Sequence, residues 1–278
     1  MDPVPLLKGA LPPIGAALLL VSLLGGRLLP FAAAAGLYLA YGLLKDWPPL
    51  PHELWQKPNG TTWLVWGISA LALVATLEHA RVLRGRVATT AGAITSALVL
   101  WLMLTKLAQR WEAGEAVLHV AVGGVAVALT VAAFRSVIAR SPSSTAPAIL
   151  FALLLSLDAG LVTLGKSALL GQLCGAVAAA VGAAVGTSLW RSGFTLRAAD
   201  GAWIGGAHAL FVLAGVHLGY LEWTPACLAL AAPLPIWLLR GASNTSSKRW
   251  FALAAPLPLA AMVTAMWLAA PEPNAYGY

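Results

Sequence analysis

Charge is what this sequence has least of. Asp, Glu, Lys and Arg make up 10% of the chain, where a soluble domain carries roughly 25%. With 60% hydrophobic residues and a mean hydropathy of +0.82, the chain cannot cover itself with polar surface, so lipid must cover it. Cysteine is scarce too. Cys174 and Cys227 sit in separate apolar runs, which excludes a disulfide framework and a CxxC metal site, and no metal is expected. No GxSxG, HExxH or Walker loop is present, and the loops are too short for a soluble catalytic domain. The sequence therefore leans away from an enzyme, apart from intramembrane chemistry on lipid headgroups. The net charge of +7 comes from basic residues scattered singly between apolar runs. That pattern belongs to membrane topology and not to a phosphate-tracking patch, so no nucleic-acid partner is expected. A basic n-region is also lacking: Lys8 alone precedes the first apolar run, and Asp2 stands where positive charge should be. That run reads as a retained helix and not as a cleavable signal.

What the chain does have is apolar length. A hydrocarbon core about 30 Å thick needs about 20 apolar residues at about 1.5 Å each. That ruler predicts an all-α integral membrane protein, one transmembrane domain over 1–278, with about ten spans and eight as the lower bound. The spans are Gly9 to Gly26, Leu28 to Leu44, Thr62 to Glu78, Val87 to Thr105, Ala116 to Phe134, Ala146 to Gly165, Ser167 to Trp190, Gly201 to Leu221, Trp223 to Leu239 and Trp250 to Ala270.

The longest polar interruption is a Pro/Trp-rich loop over 45–61. Pro48, Pro49, Pro51 and Pro58 argue for extended, polyproline-like backbone and against a regular helix. Trp47, Trp55, Trp63 and Trp66 in or beside it suit the headgroup layer. Alternate loops divide the Lys and Arg residues eleven against six. The richer side should be cytoplasmic, which puts both termini and the 45–61 loop outside, in a bacterial inner membrane. Asn59 then heads an outer sequon, while the Asn244 sequon is cytoplasmic.

Glycines four apart mark close helix packing. Gly171, Gly175, Gly182 and Gly186 lie on the seventh span, and Gly201, Gly205, Gly215 and Gly219 on the eighth. The expectation is that these two spans pack as a hairpin, with homo-oligomerisation through them as the alternative. The motif LAAPLP occurs at Leu230–Pro235 and again at Leu253–Pro258. Each copy puts two prolines inside a span and should kink it; broken helices also mark substrate sites in transporters.

Asp158 is the residue most suggestive of function. A carboxyl group inside a span costs several kcal/mol unless paired, protonated or wet. Ser156, Thr163 or a neighbouring helix could supply its partner. Depth counting places Asp158, His119 and His217 in one outer layer, below Glu115, Lys166 and Glu222. Histidine with carboxylate can relay protons or bind a cation. His119 with His217 is also the pair best matched in depth to ligate a haem iron. His208 should be a neutral imidazole bonded to a backbone carbonyl. His79 sits beside an expected surface pair of Glu78 with Arg81.

Three functions follow. The first is a non-enzymatic membrane subunit or scaffold whose 45–61 loop meets a membrane or periplasmic protein. The second is a small-solute or ion transporter using Asp158 and the outer histidines. The third is a haem-binding electron carrier.

Overall fold

The structure is a computed structural model and describes residues 4–24, 28–56, 59–141, 145–190, 196–238 and 246–271. Every regular element among them is helical. In chain order the helices are α1 (Val4–Leu24), α2 (Leu29–Leu44), α3 (Pro51–Gln56), α4 (Gly60–His79), α5 (Gly85–Ala108), α6 (Ala113–Arg140), α7 (Thr145–Leu164), α8 (Ala168–Trp190), α9 (Ala198–Leu218), α10 (Trp223–Ala231), α11 (Ser247–Ala254) and α12 (Pro256–Ala269). A 3-10 turn over Leu234–Leu238 extends α10. Among the described residues seven stretches are long and apolar enough to cross a membrane: α4 to α9, and α11 with α12 taken together. Leu7–Ser22, Leu29–Leu44 and Trp223–Ile236 are shorter apolar helices.

The bundle is built around α9. Of its membrane-length window, 78% is buried inside the protein, against 28–56% for the other six. It touches α2, α4, α5, α6, α7, α8 and α10. A helix apolar on every side has no lipid face to prefer and is stable in the centre of a bundle. Glycine allows the close approach. A Cβ on Gly201 would lie 2.7 Å from the carbonyl oxygen of Phe134, and one on Gly205 would lie 3.0 Å from that of Thr130, so α9 lies directly on the α6 backbone.

The glycine pattern corrects the expected hairpin. The helix of the seventh span, α8, packs mainly on α7 and α1, while α9 packs mainly on α6 and α4. Gly171 and Gly175 face Thr163 and Ala159 of α7. Gly215 faces Val162 and Leu221, and Gly219 lies by the carbonyl oxygens of Gly215 and Gly165. Among the described residues, a Cβ added at Gly182 or Gly186 would meet nothing within 4 Å. Spacing showed which residues share a face, but not which neighbour that face meets.

The 45–61 loop also differs from its expectation. Residues 45–50 are irregular, but α3 follows at once. Pro51 opens that helix, where a missing N–H costs nothing, and the Glu53 carboxylate accepts the Leu50 N–H at 3.0 Å. Leu54 is buried with Trp63 and Leu102, and the Trp66 indole N–H donates to the Pro49 carbonyl at 2.9 Å. Lys57 and Pro58 lie outside the described residues.

Both LAAPLP copies interrupt their helices. The first ends α10 at Ala231, ahead of the 3-10 turn. The second separates α11 from α12 at Ala255. Pro233, Pro235, Pro256 and Pro258 have no N–H to continue the ladder, and the two broken helices pack against each other.

Candidate functional site

Three ionisable residues stand along the central helix: Asp200, His208 and His217. Steps of eight and nine residues separate them by about 12 and about 14 Å along the axis. Each meets a polar or aromatic partner from another helix.

The middle level is the candidate site. Asp158 of α7 and His208 of α9 are both completely buried, and Oδ2 of Asp158 lies 2.5 Å from Nδ1 of His208. The other two polar atoms of the pair, Asp158 Oδ1 and His208 Nε2, are buried and have no hydrogen-bond partner. The surroundings are apolar and soft. The Phe134 ring lies 5.5 Å from the imidazole, centroid to centroid. The Cys174 thiol donates to the Leu155 carbonyl at 3.4 Å, one turn before Asp158.

One expectation is corrected here, and of the partners expected for Asp158 it is a neighbouring helix that supplies it. His208 bonds a carboxyl group and not a backbone carbonyl. Asp158 does not use its sequence neighbours: the Ser156 hydroxyl donates to Ala152 and the Thr163 hydroxyl to Ala159, each on its own helix. Hydroxyls four residues after a carbonyl close back on that carbonyl, and this left Asp158 to find its partner across the bundle.

The second level lies at the end of the bundle that carries Arg81, Arg84, Arg86, Arg135 and Arg197. His79, at the end of α4, places Nε2 2.8 Å from Oδ1 of Asp200, and both are buried. Asp200 is the third residue of α9, and its Oδ2 accepts the Arg197 N–H at 2.7 Å, which caps the helix. Next to it the Arg135 guanidinium grips Glu78 with two hydrogen bonds, at 2.5 and 2.9 Å. Glu78 therefore pairs across to α6 and not with Arg81, whose φ of 61° turns the chain away. A cavity of about 20 Å³ lies beside this pair, lined by Glu78, Arg135, Thr89, Ser96 and Trp203 among others; it has room for about one water molecule. Asp200 carried no functional expectation from sequence. Its signal was local, an acid at the third position of a helix.

The third level is at the opposite, Trp-rich end. The His119 imidazole stacks between the indoles of Trp111 and Trp223, at 4.5 and 5.8 Å. His217 meets His119 edge to face at 5.2 Å, and its Nε2 is buried without a partner. Glu115 Oε1 lies 3.9 Å from His119 Nε2. Lys166 sits over the Tyr220 ring at 5.9 Å, and Glu222 stands at the N-cap position of α10. The predicted layer is thus divided. His119 and His217 come together, while Asp158 joins His208 instead, about 14 Å along α9 from His217. The two imidazoles touch each other, with the Trp111 and Trp223 indoles packed against both. Among the described residues no group of three or more His, Cys, Asp or Glu side chains could hold a metal ion.

No family model, curated protein or solved structure matches this chain.

Proposed function

We propose that the chain is a small-solute or ion transporter in which α9 is the charge-bearing element and the Asp158–His208 pair is its coupling site. The observation that carries this reading is that pair: two ionisable side chains with no exposure, one contact of 2.5 Å, and two buried polar atoms left over. Taking such groups out of water costs several kcal/mol per ion. A purely structural core gains little from them, and intramembrane carboxylates and histidines mark ion and substrate pathways by default. The LAAPLP breaks add support. The first falls about nine residues into its span, counted from Trp223, hence near mid-membrane at about 1.5 Å per residue, and the second about five residues into its span, counted from Trp250. Interrupted helices near the midplane are where transporters bind their cargo.

The topology belongs to the same proposal. The seven long helices and three shorter ones make ten crossings, the short ones accommodated by local thinning of the bilayer. With the arginine-rich loops cytoplasmic, both termini and α3 lie outside an inner membrane, His79 and Asp200 lie at the inner end, and His119 and His217 at the outer end. Reporter fusions after Pro58 and after Ser246 should fall on opposite sides. A same-side result removes this arrangement.

The test of transport is uptake by membrane vesicles that contain the chain, surveyed over small solutes and ions under an imposed potential. Asp158→Asn should reduce the uptake to the level of vesicles without the chain, at unchanged protein amount. Uptake indifferent to that change sinks the transport reading.

A second reading has its own observation. Trp47 and Trp55 are 59% and 67% exposed on the shelf around α3, with Leu50 between them at 50%. A non-enzymatic membrane subunit or scaffold would use that shelf to meet a periplasmic or membrane partner. Native mass spectrometry of the protein released from its own membrane separates the two. A second polypeptide in fixed ratio favours the subunit, and the chain alone or as a homo-oligomer favours the transporter.

A further inference from the structure

Asp158 and His208 leave two atoms without partners, and those atoms identify the cation the site can carry. We propose that this cation is the proton, and that Nε2 of His208 is the atom that holds and releases it. The proposal rests on the transport reading and names the ion that drives it.

The contact geometry comes first. Oδ2 of Asp158 and Nδ1 of His208 are 2.5 Å apart. Two lone pairs cannot face each other at that distance, so one proton lies between them. Whether it sits nearer oxygen or nitrogen does not alter the charge of the pair. Nε2 is what alters it. With a proton on Nε2 the pair is neutral: either carboxylate with imidazolium, or carboxylic acid with neutral imidazole. Without that proton the pair is a carboxylate against a neutral imidazole and carries one negative charge. The step is a plain proton transfer. The N–H bond breaks, its electron pair stays on Nε2, the proton passes to a lone pair of a water molecule that reaches Nε2, and nothing is oxidised or reduced. The shared proton at Nδ1 keeps the ring in place throughout, the same orienting role a carboxylate plays behind a functional imidazole elsewhere.

The free side-chain atoms also suit the alternative cations less well. A hard cation takes about six or more oxygen ligands. Among the described residues the one buried side-chain oxygen without a partner is Asp158 Oδ1, and the Ser156 and Thr163 hydroxyls are turned to their own helices. Softer metals are no better served, since no three ligating side chains converge among the described residues. A proton needs one lone pair, and His208 Nε2 supplies it in a fully buried position.

The test is nitrogen NMR on the full chain, labelled at histidine and held in lipid nanodiscs at neutral pH. His208→Gln identifies the two resonances of interest; if that variant does not fold, Asp158→Asn displaces the same two signals. The expected spectrum has a proton on Nε2 of His208 and a second, far-downfield proton that Nδ1 and the carboxyl group share. The downfield signal is lost in Asp158→Asn. Sodium chloride in place of potassium chloride leaves the spectrum unchanged. A bare Nε2 in the resting protein overturns the proposal, and so does a sodium-dependent displacement of the His208 signals. Neither result touches vesicle uptake, so the proton can fail while transport stands, and uptake indifferent to Asp158→Asn removes transport without reference to the spectrum.

Discussion

The same two residue types meet twice on α9, and the two meetings differ in what remains free. At the arginine-rich end Asp200 uses both oxygens, one for His79 and one for the Arg197 N–H. Glu78 and Arg135 saturate each other beside it. At mid-helix Asp158 and His208 use one atom each and leave one each unpaired. A pair whose carboxylate has both oxygens engaged works as a staple, here joining the ends of α4 and α6 to the start of α9. A pair with unfilled valence inside apolar surroundings is costly to keep, and that cost is what identifies it as a site. Chemical identity alone would not separate them, because both are histidine–aspartate pairs on the same helix.

The largest expected effect breaks the staple. Asp200→Ala removes a buried pair and a helix cap together and should cost about 3–5 kcal/mol of stability, measured by denaturant unfolding in detergent. The sharper experiment replaces both partners at once. Exchanging a buried pair for apolar residues of similar volume is often neutral, or stabilising by about 1–4 kcal/mol. Asp158→Leu with His208→Leu should therefore fold at least as well as the parent while losing transport. His79→Leu with Asp200→Leu should stay destabilised by about 1 kcal/mol, because the Arg197 N–H still loses its cap. If the two double variants behave alike, the distinction between staple and site is wrong. Glu78→Gln comes next. It removes the charge from a two-bond contact and should cost about 1.5–3 kcal/mol, with no effect on the Asp158–His208 spectrum.

How much of this was legible beforehand depends on what each feature needs. Helix existence needs only apolar length, and each predicted apolar stretch, from Gly9 onward to Ala270, has an apolar helical counterpart among the described residues. Asp158 was legible because a carboxyl group inside a span is costly wherever it lies. Its partner was not. His208 sits in GGAHALF, a stretch of α9 buried on all sides, and such a helix has no polar face to show which way a side chain points. Choosing His208 over His119 required knowing that α7 lies against α9, and packing settles that. Asp200 could be read only as a cap, since its role depends on α4 ending beside it. The helical turn of α3 was hidden by the prolines before it, although Pro51 is itself a favourable first residue.

The smallest effect sharpens the comparison among the glycines. At Gly201 an added methyl group would stand 2.7 Å from the Phe134 carbonyl oxygen. Backbone cannot yield as a side chain can, so Gly201→Ala should cost about 1–3 kcal/mol by pushing α9 off α6. At Gly182 nothing among the described residues lies within 4 Å of that position, and alanine is the better helix former by about 0.5–1 kcal/mol. Gly182→Ala should therefore stabilise the isolated chain slightly. The two glycines look identical in sequence, each opening a four-residue spacing on an apolar helix. A loss of stability at Gly182, measured by the same unfolding experiment, would mean that something outside this chain packs against α8 at that point. The homo-oligomer, the alternative reading of the glycine pattern, would then be located at Gly182 and Gly186, whose added Cβ meets no other described residue within 4 Å.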